Sequence, residues 1–104
     1  MTRQVTIAGA VRVNETELAV LELVASRAGA PGGAAELGVA EVAEAAGVSA
    51  PTARRSLRSL EEAGLVRISA RTAADGGRLA NAYSLTPTGS LAAAAARADG
   101  LAPG

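Results

Sequence analysis

The sequence predicts a mainly α domain with a small β-hairpin, an α+β unit made of a three-helix core, a hairpin and a closing helix. Three observations point there. Apolar residues recur at steps of three and four in successive segments up to Gly64, the period then changes to alternation on either side of an Asp-Gly-Gly turn, and Thr86-Pro87 opens an alanine-rich last segment. A length of 104 residues fits one domain, 1–104, with a single core. The apolar share of 49% is nearly all Ala, Leu and Val, and Tyr83 is the only aromatic residue, so that core is thin. With roughly 1.5–3 kcal/mol available from each fully buried Leu, Val or Ile, it depends on close helix packing, and a second subunit is expected to add to it.

Each element has its own signal. Val5, Ile7, Val11 and Val13 fall on alternate positions with Thr6 and Arg12 between them, which predicts a half-buried strand or arm within residues 1–13, broken or bent near Gly9. Asn14 followed by Glu17 is a helix start, because the Asn oxygen accepts an orphan amide and a carboxylate sits in the first turn. The first helix spans 14–28. Leu18, Leu21, Val24, Ala25 and Ala28 share one face, while Val20 and Leu23 project from another and leave an apolar stripe that a partner helix would cover. Residues 29–38, rich in Gly and holding Pro31, read as a loop with one very short strand near 35–37.

Val39, Val42, Ala43 and Ala46 mark a second helix over 38–46, and Gly47 supplies the tight turn before Val48 and the cap residue Ser49. A third helix over 50–63 carries Ala53, Leu57, Leu60 and Gly64 along its inner side, with Gly64 suited to end it. The alternating period then gives a hairpin over 65–85, with strands at 65–70 and 82–85 and a polar turn at 71–81. Tyr83 shares the strand face of Leu85, which assigns it to the core rather than to base stacking. Pro87 opens a last helix over 87–99, where Leu91 and Leu101 are the large apolar residues.

The formal net charge is zero, but it divides along the chain. Three arginines face six glutamates in residues 1–48, and seven arginines face four acids in residues 49–104, a net of −3 against +3. All ten cations are arginine. Two readings of that bias stand side by side: codon usage, or selection for the planar fork that suits phosphate and guanine.

What is missing excludes chemistry. With no Cys and no His, thiol nucleophiles, disulfides, Cys or His metal ligands and imidazole catalysis are unavailable. Glu61 and Glu62 are not a catalytic pair, since adjacent helix positions diverge by about 100°. The Gly-rich pieces at 31–33 and 75–77 lack the context of a phosphate loop. The expectation is therefore no enzyme, no catalytic or metal-binding residues and no cofactor. No basic leader and no run of about twenty apolar residues occurs, so a cytoplasmic protein without a membrane partner is expected.

On the third helix, with Ala53, Leu57 and Leu60 turned inward, the outward side carries Pro51, Thr52, Arg54, Arg55, Arg58 and Ser59, and no acid stands between Ser49 and Leu60. Such a face suits DNA. The first amides with the Ser49 or Thr52 hydroxyl can hold a phosphate, Arg54, Arg55 or Arg58 can fork onto guanine O6 and N7, and Thr52 or Pro51 can touch a thymine methyl. Three charges on one helix also describe an ordinary solvated face.

The stretch VAEVAEAAGVSAPTARRSLRSLEEAGLV, residues 39–66, resembles the reading head of bacterial regulators of the MarR, DeoR, GntR and IclR families. The following ISARTAADGGRLANAYSLTPTG resembles a MarR-type wing with its closing Leu-Thr-Pro-x-Gly. The resemblance covers about half the chain. It implies a winged helix-turn-helix, with the third helix for recognition and the hairpin as wing. It further implies that Arg78, near Asp75 at the wing tip, enters the minor groove. Arg67 and Arg71 are placed to reach phosphates from the hairpin.

The sequence thus predicts a sequence-specific regulator of transcription that binds double-stranded DNA and represses by occupying a promoter. A homodimer is expected, because two-fold pairing doubles the contacts of one helix in one groove. Its candidate surface is Val20, Leu23, Leu91 and Leu101 with the N-terminal strand. About fifteen residues follow Gly89, where MarR proteins have longer dimerising helices, so a different dimer is expected and no effector is assigned. The rival from another class is a winged-helix interaction module that binds protein in a partition, replication or secretion assembly.

Overall fold

In the computed structural model the chain order is β1 (Gln4–Ile7), β2 (Val11–Asn14), α1 (Glu15–Ala28), β3 (Ala34–Glu36), α2 (Val39–Ala46), α3 (Ala50–Glu62), β4 (Val66–Thr72), β5 (Arg78–Leu85) and α4 (Pro87–Ala98). Residues 4–7, 11–29, 33–72, 74–98 and 100 are described, without the side chains at 71, 72 and 78–80. Helices and small antiparallel sheets together form the α+β fold that the spacing predicts.

α1 begins where the sequence places it. Asn14 Oδ1 accepts the Glu17 amide at 2.7 Å and Glu17 Oε1 accepts the Asn14 amide at 2.8 Å, a reciprocal capping box. The helix then packs against α2, α3, β3 and β5 and also against β1, β2 and α4. That double enclosure corrects the expected role of Val20. Its side chain has no exposed surface in a single chain, because α4 and the N-terminal strands bring Ile7, Val13, Ala92, Ala93 and Ala96 into the same core. Val20 therefore has nothing to offer a second subunit. Leu23 is half-buried against that core, Leu91 is 74% exposed, and Leu101 lies outside the described residues.

The N-terminal alternation is two strands rather than one. β1 and β2 pair antiparallel, Val5 opposite Val13 and Ile7 opposite Val11, so the expected break near Gly9 separates the arms of a hairpin whose connection lies outside the described residues. Folding back lets Ile7 and Val13 both reach the core.

The second sheet has the order β3-β5-β4, antiparallel throughout. The short β3 covers one edge of β5, Ala35 opposite Tyr83. β4 and β5 extend well past the predicted strand ends, through Thr72 opposite Arg78, with an irregularity between Ser69 and Arg71. The predicted turn at 71–81 is thus too long. The ladder is built from backbone hydrogen bonds, so a strand can run on past the alternating apolar positions that predict it. Tyr83, 1% exposed, is a core residue as expected.

α4 is anchored at its start by the Leu-Thr-Pro-x-Gly segment. Thr86 donates its amide to Leu65 O at 3.1 Å and its hydroxyl to Gly64 O at 2.5 Å, while Thr86 Oγ1 accepts the Gly89 amide at 2.9 Å. A Cβ on Gly89 would stand 1.8 Å from Leu65 O, which explains the glycine there. Among the described residues no helix is long and apolar enough to cross a membrane.

Candidate nucleic-acid interface

The interface is built from the turn outward. Gly47, at φ +71°, is left-handed, and the bonds from Gly47 N to Glu44 O at 3.2 Å and from Val48 N to Ala43 O at 2.9 Å close α2 in a Schellman motif. Val48 and Ser49 follow directly, and Ser49 caps α3 with its Oγ accepting the Thr52 amide at 3.3 Å. α3 ends the same way as α2: Gly64 N donates to Glu61 O at 3.0 Å and Leu65 N to Leu60 O at 2.9 Å. The two helices are therefore joined and terminated by backbone geometry that the two glycines permit.

Ala53, Ser56, Leu57 and Leu60 form the buried side of α3. At about 100° per residue, Pro51, Arg55 and Arg58 lie opposite that side, Thr52 and Ser59 on one flank, and Arg54 and Glu61 on the other. Arg54, Arg55, Arg58 and Pro51 are exposed, and Thr52 and Ser59 are half-buried. None of the three arginines is drawn into an ion pair among the described residues, whereas Arg97 pairs with Glu22. Ser56, which the spacing did not include, widens the buried side.

The helix start is a poorer anion cradle than the sequence suggests. Pro51 has no amide, and the Thr52 amide is already taken by Ser49 Oγ. The Ser49 hydroxyl donates to Thr52 Oγ1 at 3.0 Å, which leaves the Thr52 hydroxyl proton as the outward donor of the pair.

Arg67 is exposed on β4. Arg71 and Arg78 have their backbones in the wing ladder, and their side chains lie outside the description. At the tip, Asp75 Oδ1 accepts the Gly77 amide at 2.9 Å and Gly76 takes φ +90°, so Asp75 shapes the turn. Glu41, Glu44, Glu61 and Glu62 are exposed, and no cluster of acids that could hold a metal occurs among the described residues.

One residue escaped the sequence reading. Asn81, assigned to the polar turn, is on β5, where its Nδ2 donates to the Tyr83 hydroxyl at 3.4 Å. With Arg54 and Arg58 it lines a recess between α3 and the sheet. The signal was its two-residue spacing from Tyr83, which puts both on one strand face.

Comparison with known proteins supports this fold. Wild-type ZitR of Lactococcus lactis in complex with DNA is 21% identical, with a TM-score of 0.65 over 90% of this chain and 57% of its own. The chain therefore spans under three-fifths of ZitR's length. The transcriptional regulator PA3341 is 32% identical over 80% of this chain and 54% of its own, with a TM-score of 0.59. A Ralstonia eutropha protein inferred to bind DNA is 34% identical over 79% of this chain and 94% of its own, with a TM-score of 0.55. No curated protein matches the sequence. Residues 18–69, half of the chain, match the IclR helix-turn-helix domain. With its capped turn, exposed third helix and three-stranded wing, the chain has the winged helix-turn-helix fold of transcription regulators and belongs to the IclR helix-turn-helix family.

Proposed function

We propose that the chain regulates transcription by binding double-stranded DNA, with α3 in the major groove and the wing in the adjacent minor groove. The observation that carries this reading is the outward side of α3, where Arg54, Arg55 and Arg58 are exposed and unpaired among the described residues and no acid intervenes between Ser49 and Leu60. Arginine neutralising phosphate supplies affinity, and arginine on guanine supplies specificity. DNA complexes of ZitR, a zinc-responsive MarR family member, support the same use of the fold here. Repression follows from occupancy of a promoter by a reading head. Two copies double the contact with a two-fold operator, and the exposed Leu91 on α4 supports such pairing.

The test is selection from a randomised pool of duplexes, followed by mobility shifts across a salt series. A preferred sequence bound with steep salt dependence is the expected result. Binding that never exceeds random duplex at low salt leaves the protein-interaction reading instead.

A further inference from the structure

The three arginines of α3 do not face the same way. Arg55 and Arg58 each lie about 150° round the helix from the middle of the buried side, to opposite sides of the pole, and Arg58 is on the side of Arg54, which lies about 110° round on the flank toward the sheet. The recess independently places Arg54 there: it is open, about 270 Å³, and is lined by Arg54, Arg58 and Glu61 from α3 and by Ile68, Asn81 and Tyr83 from β4 and β5.

We propose that this recess clamps one backbone phosphate of the DNA, with Arg54 and Asn81 as its positioning residues beside Arg58, and that base reading is left to Arg55. The inference rests on α3 entering the major groove. If it does, and the wing enters the next minor groove, the sugar-phosphate strand that separates the grooves must cross the gap between α3 and the sheet. The recess is that gap. Its chemistry suits an anion: Arg54 contributes a fork of donors, and Asn81 has a second amide N–H beyond the one directed to the Tyr83 hydroxyl. Ile68 and Tyr83 supply an apolar floor that strengthens a charge pair formed above it. Glu61 is the opposing carboxylate in the same recess, and it weakens whatever phosphate enters.

Phosphate contacts fix register and carry no sequence information, so Arg54 and Arg55 separate by experiment. Fluorescence anisotropy would compare a duplex taken from the randomised pool with a random-sequence duplex of equal length, each across a salt series. Arg54→Ala is expected to weaken both duplexes by the same factor, about tenfold, and to reduce the salt slope by about one. Asn81→Asp is expected to weaken both as well, and Arg55→Ala to weaken the selected duplex far more than the random one. Glu61→Gln is expected to tighten both a few-fold, a gain that misfolding cannot imitate. A methylphosphonate walked along the selected duplex should find one position at which Arg54→Ala no longer matters. The clamp is overturned if Arg54→Ala alters the ratio between the two duplexes, if Glu61→Gln changes neither, or if no single phosphate absorbs the Arg54 effect. Wild-type protein that binds neither duplex overturns the reading beneath it, a separate and recognisable failure.

Discussion

The two ends of the molecule use arginine in opposite ways. At the back, Arg97 of α4 donates from Nη2 to Glu22 Oε2 at 3.0 Å and ties the last helix to α1. At the front, Arg54, Arg55 and Arg58 have no such partner among the described residues. A paired cation belongs to the fold, whereas unpaired ones crowded on a single helix repel one another and gain when an anion arrives. Residue type alone does not distinguish these roles. What distinguishes them is whether the chain has spent a carboxylate on the cation.

The comparison predicts that stability and DNA binding separate along the molecule. Gly89→Ala should show the largest effect at the back, because the new Cβ would stand 1.8 Å from Leu65 O and must displace α4 from the end of α3. Thermal or urea unfolding should register a loss of about 3 kcal/mol. Arg55→Ala should be its mirror image at the front. Discrimination between preferred and random duplex falls by about 1–3 kcal/mol in mobility shifts, while unfolding stays within about 0.5 kcal/mol of wild type.

Smaller effects sharpen the same boundary. Asn14→Ala removes one half of the capping box and should lower stability by about 1 kcal/mol in urea unfolding, with duplex preference unchanged. Arg97→Ala leaves Glu22, whose Oε1 is already buried without a partner, with no cation. Because Arg97 itself is 63% exposed, less than about 1 kcal/mol should be lost. Leu91→Ser should be the mildest of all for the single chain, within about 0.5 kcal/mol. It should instead shift the concentration dependence of sedimentation, if α4 carries the pairing of two copies.

How much of this was legible in the sequence differs between the same two regions. The helix ends are written in local rules: Asn14 with Glu17 at the start of α1, and Gly47, Ser49 and Gly64 in the reading head, each act on neighbours within a few residues, and each sits where its cap or turn requires. Short-range hydrogen bonding decides them, so spacing is enough. The back of the molecule is decided by packing between residues far apart in the chain. Val20 looked like an interface residue because the helix has two apolar sides, and nothing local tells that β1, β2 and α4 enclose the second one. The wing lies between these cases. Its strands run on to Thr72 and Arg78, past the alternating apolar positions, because the ladder is made by backbone groups whatever the side chain. Asn81 was lost with that boundary, and with it the far wall of the recess beside Arg54.

The most direct test of the central claim is a map of backbone amide shifts as a duplex from the randomised pool is titrated into isotope-labelled protein. The account predicts that perturbation concentrates on 49–62 and the wing, with the β1–β2 hairpin and the outer side of α4 unmoved. Shifts confined to α4 and the hairpin, with α3 silent at saturation, would contradict it.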